Sequence, residues 1–199
     1  MSEITATTAK ARYIDTAEVA KMMRPQLRRT FPGVKFSVRI SRYSGGSSID
    51  IRWTDGPTVK QVEAVTHAFQ SARFDGMIDL QYSANSWYCA THGARVAETY
   101  GHGMGDDGPV ESRCCAAAEL VHFGSGYIHE VRELSDGFRS VLAVQVRHES
   151  GMDKDAPMDE RLPEGSLYQL YPYDTVRDGV YRLSVKTEHL PYGSTKTTP

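Results

Sequence analysis

The chain has 199 residues, 40% of them hydrophobic, and a net charge of −2, which is enough for a real core and too little positive charge for a dedicated duplex-binding protein. No apolar run reaches membrane-spanning length, and residues 1–10 lack the charged-then-apolar layout of a secretory signal, so the expected location is cytoplasmic, with no membrane partner. Three cysteines, two of them adjacent, argue against a disulfide framework and suit a reducing compartment.

The charge is uneven along the chain. Residues 1–80 carry 12 Lys+Arg against 8 Asp+Glu, whereas residues 81–199 carry 11 against 17. The front is mildly basic and the back acidic, so any affinity for nucleic acid should be modest and salt-sensitive.

Residues 1–12 are small, polar and unpatterned and predict a disordered start. Asp15 and Glu18 have capping-box spacing, and Val19, Met22, Met23, Leu27 and Phe31 mark an apolar stripe opposite Arg24, Arg28 and Arg29, which predicts a helix. Pro25 should kink or split it, and Pro32-Gly33 should end it. Phe36, Val38 and Ile40 then alternate with polar residues, as do Ile49, Ile51 and Trp53 after Gly45-Gly46, which predicts a hairpin with one buried face. Thr58 and Gln61 propose a second capping box, with Val62, Val65 and Phe69 carrying a helix to about Ala72. Strand-like alternation over residues 74–80 completes an α-β-β-α-β unit, expected as two helices on one face of an antiparallel sheet.

Residues 81–110 form a Gly/His-rich insert of little pattern, with Gly101-His102-Gly103 and the 105–109 run as loop markers. Residues 118–123, 127–134 and 141–147 read as added strands, 149–164 as a charged linker, and 165–192 as a tyrosine-rich β extension turning at Asp178-Gly179. The expected organisation is a single α+β domain over 13–148 with a core unit at 13–80, then the linker and the extension. Residues 193–199 should fray.

Three groups of residues carry possible chemistry. Cys89 and His92 form a C-x-x-H knuckle to which Cys114 can add a distant thiolate, the donor types of a tetrahedral zinc site, with His102 a possible fourth. Against this, adjacent cysteines rarely both ligate one ion, and free cysteine commonly serves as a small buried hydrophobe; on spacing alone structural thiols are favoured, with no cofactor required. A nucleophilic pairing of Cys89 with His92, His102 or His122 is also conceivable, but nothing in the sequence fixes those distances. The Gly-rich 101–105 run has phosphate-loop composition without the trailing lysine, and reads as a loop. Finally, Lys35, Arg39, Arg42 and Arg52, with Tyr43 for stacking, have the residue types that hold a phosphate backbone and a splayed base. The plainer reading is a solvated face on which Asp50 neutralises an arginine.

The segments at 13–21, 31–38, 41–47 (Ser-Arg-Tyr-Ser-Gly-Gly-Ser), 53–58 (Trp-Thr-Asp-Gly-Pro-Thr) and 74–79 closely resemble the large polyvalent protein associated domain of the twenty-ninth type, and residues 120–124 through Ile128 resemble its later strand. The resemblance implies a phage, plasmid or conjugative-element origin, a bacterial host cytoplasm, and work beside proteins that act on entering DNA or on host defences; it carries no catalytic residues. The leading expectation is therefore a non-enzymatic binding protein that engages nucleic acid or a host nucleic-acid-handling complex. The alternatives are an inhibitor of a host defence protein, using the tyrosine-rich tail, and a zinc- or thiol-dependent enzyme centred on residues 89–122.

Overall fold

A computed structural model describes residues 11–75, 79–97 and 113–188. The elements run β1 (Arg12–Ile14), α1 (Thr16–Thr30), β2 (Ser37–Tyr43), β3 (Gly46–Thr54), α2 (Val59–Thr66) with a 3-10 turn at His67–Phe69, β4 (Ala72–Asp75), β5 (Leu80–Ser83), β6 (Ser86–Cys89), β7 (Gly93–Val96), β8 (Glu119–Phe123), β9 (Tyr127–Glu133), α3 (Asp136–Glu149) and α4 (Val176–Lys186). This is an α+β protein. It divides into two compact units, residues 1–32, 36–51 and 63–130 in one, and 33–35, 52–62 and 131–199 in the other.

The first unit is built on a four-stranded sheet in the order β1-β8-β6-β7. β1 runs parallel to β8, with Ile14 opposite Phe123, while β6 is antiparallel to both its neighbours. Asp15 caps α1 as its spacing predicts, accepting the Ala17 backbone N–H at 2.9 Å. Pro25 neither splits nor ends the helix, which continues to Thr30. Val19, Ala20, Met23 and Leu27 are fully buried, so the apolar stripe of α1 faces the core. An aromatic cluster joins the 3-10 turn to the sheet, with the rings of Phe69 and Phe123 5.2 Å apart and Tyr88 edge-on to Phe123 at 6.5 Å.

β2 and β3 form the expected hairpin, with β9 added beside β3. Its period-two alternation buries Ile49, Ile51 and Trp53 and leaves Arg39 and Arg52 exposed. The unit expected over 13–80 is corrected in one respect. The second helix gives way at Phe69, and β4 pairs with β5 in a two-stranded ribbon instead of joining β2 and β3. Gly76, Met77 and Ile78 of the expected 74–80 strand lie outside the described residues.

The second unit differs most from its sequence. Residues 141–147, expected as a strand, lie within α3, and residues 176–186, expected as part of a hairpin, form α4. In α3 the alternation of Leu142, Val144 and Val146 is coincidental; Phe138, Leu142 and Val146, spaced by four, are the buried set, and Ser135 caps the helix through the Phe138 N–H. In α4, Asp178 is not a turn residue but the third residue of a capping box, accepting from both the backbone and the hydroxyl of Thr175. Gly179 then lets the helices close up, because a Cβ there would stand 2.8 Å from Val146 Cγ1. Phe138, Leu142, Ala143, Val146, Leu162, Val176 and Val180 make the core of this unit. Residues 150–175 are irregular, and Met152, Met158 and Leu162 from this stretch pack into that core.

One residue organises the start of this unit. Arg132 donates to the carbonyls of Asp55, Gly56, Ser184 and Thr187, tying the 55–57 turn to the end of α4. Asp55 and Gly56 are both in the left-handed region, at φ 55° and 62°, which a glycine accepts without strain and an aspartate tolerates. No helix among the described residues is long and apolar enough to cross a membrane.

Candidate metal centre and basic surface

β6 ends at Cys89 and β7 begins at Gly93, directly opposite it in the antiparallel register. Ala90, Thr91 and His92 are thus the tight turn of a hairpin, and a C-x-x-H sequence in such a turn brings its first and last side chains to the same side. The Cys89 sulfur lies 3.1 Å from His92 Nδ1 and accepts the His92 backbone N–H at 3.1 Å. Gly93 at φ 83° makes the turn possible, since this left-handed geometry suits a residue without Cβ, and the Gln26 side chain fills the place a Cβ would take. Arg29 of α1 holds the turn from outside through the Thr91 carbonyl at 2.8 Å.

The second half of the cluster comes from the chain that leads into β8. Because Glu119 stands opposite Tyr88, the turn at 114–117 falls beside the end of β6. The Cys114 sulfur reaches to 3.5 Å from that of Cys89 and 3.8 Å from that of Cys115. The four donor atoms of Cys89, His92, Cys114 and Cys115 all lie within 4.8 Å of one another. Around a tetrahedral zinc ion with sulfurs at 2.3 Å, neighbouring sulfurs stand roughly 3.7 Å apart. The set therefore has the size, softness and number of a closed zinc site. Trp87, Ala97 and Ala118 pack around it, with Leu120 alongside, and the Arg113 guanidinium covers the Trp87 ring at 4.6 Å.

The electrostatics divide the thiols. The His92 backbone N–H holds Cys89 down at about 6, helped by the neighbouring side chains, whereas burial and the adjoining sulfurs push Cys114 up to about 11. Cys89 is thus the natural thiolate of the group.

Of the residues singled out in the sequence, Cys89, His92 and Cys114 are brought together. Cys115, which adjacency argued against as a second ligand beside Cys114, joins them, because the turn directs both sulfurs inward. His122 is elsewhere, with its Nδ1 3.1 Å from Asn85 Oδ1 and its ring stacked on Tyr13. His102 and the 101–105 run lie outside the described residues.

The basic residues of the hairpin region are divided between the two units. Arg39, Arg42 and Tyr43 belong to the first unit, Lys35 and Arg52 to the second. All are exposed. Arg42 pairs with Asp15 at 3.3 Å and Arg52 with Glu133 at 3.8 Å; these carboxylates, not Asp50, are the partners. Such exposed pairs contribute little, about 0–1 kcal/mol, and open readily to another anion. Lys21, Arg28 and Arg29, exposed on α1, add cations in the first unit.

No curated protein and no solved structure matches the chain. Residues 14–135, which include all four donors and end one residue before α3, match the family described as large polyvalent protein associated domain 29, and the chain belongs to that family.

Proposed function

We propose that the protein is a non-enzymatic binding protein of a phage or other mobile element, whose first unit is closed by a structural zinc ion on Cys89, His92, Cys114 and Cys115 and which engages nucleic acid through exposed cations of that unit. The convergence of four soft donors carries the reading. A catalytic zinc keeps one position open for water, whereas a site with four protein ligands is a cross-link. Cys89 is buried, at 6% exposure, which disfavours it equally as a free nucleophile. Support for nucleic acid comes from Lys21, Arg28, Arg39 and Arg42 with the half-exposed Tyr43, and from the family's association with mobile elements.

Elemental analysis of protein purified without added metal should give one zinc per chain, and cobalt substitution should show thiolate-to-metal charge transfer that Cys114→Ser weakens. Absence of stoichiometric metal would remove the cross-link. In fluorescence anisotropy with single-stranded RNA and DNA, Arg39→Ala/Arg42→Ala should weaken binding about tenfold and reduce the salt slope by about two. Unchanged binding would sink the nucleic-acid role.

A second reading is favoured by a separate observation. Asp174, buried and paired with Arg182 at 2.7 Å, accepts the backbone N–H groups of Leu170 and Tyr171 at 2.6 Å each. It thereby fixes a loop on which Leu167, Leu170, Tyr171 and Tyr173 are all more than half exposed, the two tyrosine rings stacked 5.8 Å apart. A rigid apolar display of this kind suits protein contact, as an inhibitor of a host defence protein requires. Capture from host lysate separates the readings: a partner retained after nuclease treatment and lost in Tyr171→Ala/Tyr173→Ala favours protein contact.

A further inference from the structure

A groove of about 940 Å³ runs along α3 in the second unit, bounded by α4 and the 154–158 turn. Its lining carries eight charged residues, and they do not cancel. Each of the three carboxylates has its own cation: Glu133 pairs with Arg52, Asp136 with Arg139 at 3.9 Å, and Asp155 with Lys154 at 3.8 Å. Arg132 is occupied by four carbonyls. Arg147 and Arg177 are left, one on each helix, with no carboxylate partner among the described residues.

Arg147 is placed at a cost that its own helix does not explain, and Arg177 stands exposed at the start of α4. The Nε of Arg147 is buried and has no acceptor, and an unmet buried donor costs about 1–3 kcal/mol. Arg177 occupies the first turn of α4, where the helix dipole disfavours a cation and favours an anion. Its backbone N–H, like that of Val176, is already taken by a carbonyl, so the unmet demand rests with the side chains and the dipole. Apart from Ser140 the remaining lining is largely apolar: Ala143 and Val180 are buried walls, and Val144 and Tyr181 stand open at 57% and 69% exposure.

We propose that this groove binds a small phosphate ester, with the phosphate held by Arg147 and Arg177 and a flat or apolar body lying along Val144 and Tyr181. Two guanidiniums favour phosphate over a single carboxylate because each offers a planar fork of donors to an anion that has oxygens enough for both. A volume of this size suits a ligand of nucleotide dimensions. The site is independent of the cysteine cluster and of the hairpin cations, so it survives or fails separately from the function proposed above.

The test uses the full chain as purified and isothermal titration with AMP, ATP, inorganic pyrophosphate and a poly-glutamate peptide. Saturable binding of AMP or ATP at one per chain is expected, weakened about tenfold or more by Arg147→Gln and by Arg177→Gln. Arg161→Gln, outside the groove, should leave it unchanged. Retained α-helical circular dichroism separates lost binding from lost folding, and Arg147→Lys should recover part of the affinity. Pyrophosphate binding as tightly as ATP would uphold the phosphate anchor and overturn the contact with Tyr181. Poly-glutamate binding in place of the phosphates, no saturable binding of any probe, or equal binding by both glutamine variants would overturn the proposal.

Discussion

The two units hold their chains by different means. In the second, Phe138, Leu142, Val146, Val176 and Val180 form one aliphatic seam between two helices, and each such side chain contributes about 1.5–3 kcal/mol when removed from water. In the first, the end of the sheet around β6 packs Trp87 against Ala97, Ala118 and three cysteines, residues with little apolar volume to offer. The difference teaches where a cross-link is needed. The helix pair closes on itself through packing, while the β6–β7 hairpin meets the 114–117 turn through sulfur and imidazole.

The contrast can be broken most sharply at the proposed zinc site. Chelation, or Cys114→Ser, should lower the stability of the first unit by several kcal/mol, since binding free energy of a structural zinc is folding free energy. The chain's two tryptophans report the units separately, Trp87 in the first and Trp53 in the second. In single-tryptophan variants, emission from Trp87 should shift at lower denaturant after chelation while that from Trp53 holds. Equal shifts of both would mean that the units do not differ in this way. The converse variant, Leu142→Ala, should cost about 2–5 kcal/mol and act first on the Trp53 transition. A smaller effect distinguishes the second unit by pH. Its Asp174 is held at about 2, below the ordinary 3.8, chiefly by the hydrogen bond from Arg182. The stability this provides is complete above about pH 3.8 and is lost as pH falls towards about 2. Melting temperature measured from pH 5 to 2 should therefore drop more steeply in the native chain than in Asp174→Asn, and parallel curves would assign the acid sensitivity to other groups.

The same contrast governs what the sequence disclosed. In the first unit, local rules and tertiary structure agree: Asp15 caps α1, and the alternation of β3 buries Ile49 and Ile51. In the second they compete. Val141, Leu142, Val144 and Val146 are β-branched or alternating enough to pass for a strand, and their helical spacing emerges only when Phe138 is included. Asp178-Gly179 carries the composition of a hairpin turn, yet Thr175 three residues earlier is the cap that decides the matter. The cysteine–histidine cluster is half legible in the sequence. The C-x-x-H knuckle is a local pattern, but the approach of Cys114 and Cys115 depends on β8 lying beside β6, a pairing between segments far apart in sequence.

The placement of the four donors has a consequence for how this protein can vary. The thiols of Cys89 and Cys114 are 25 positions apart, and the contact between them is made at the root of the intervening chain, not along it. Loop-closure cost grows only with the logarithm of length, each doubling adding about 0.6 kcal/mol. Held at that contact, the chain between positions 89 and 114 could be lengthened at a closure cost of about that size per doubling.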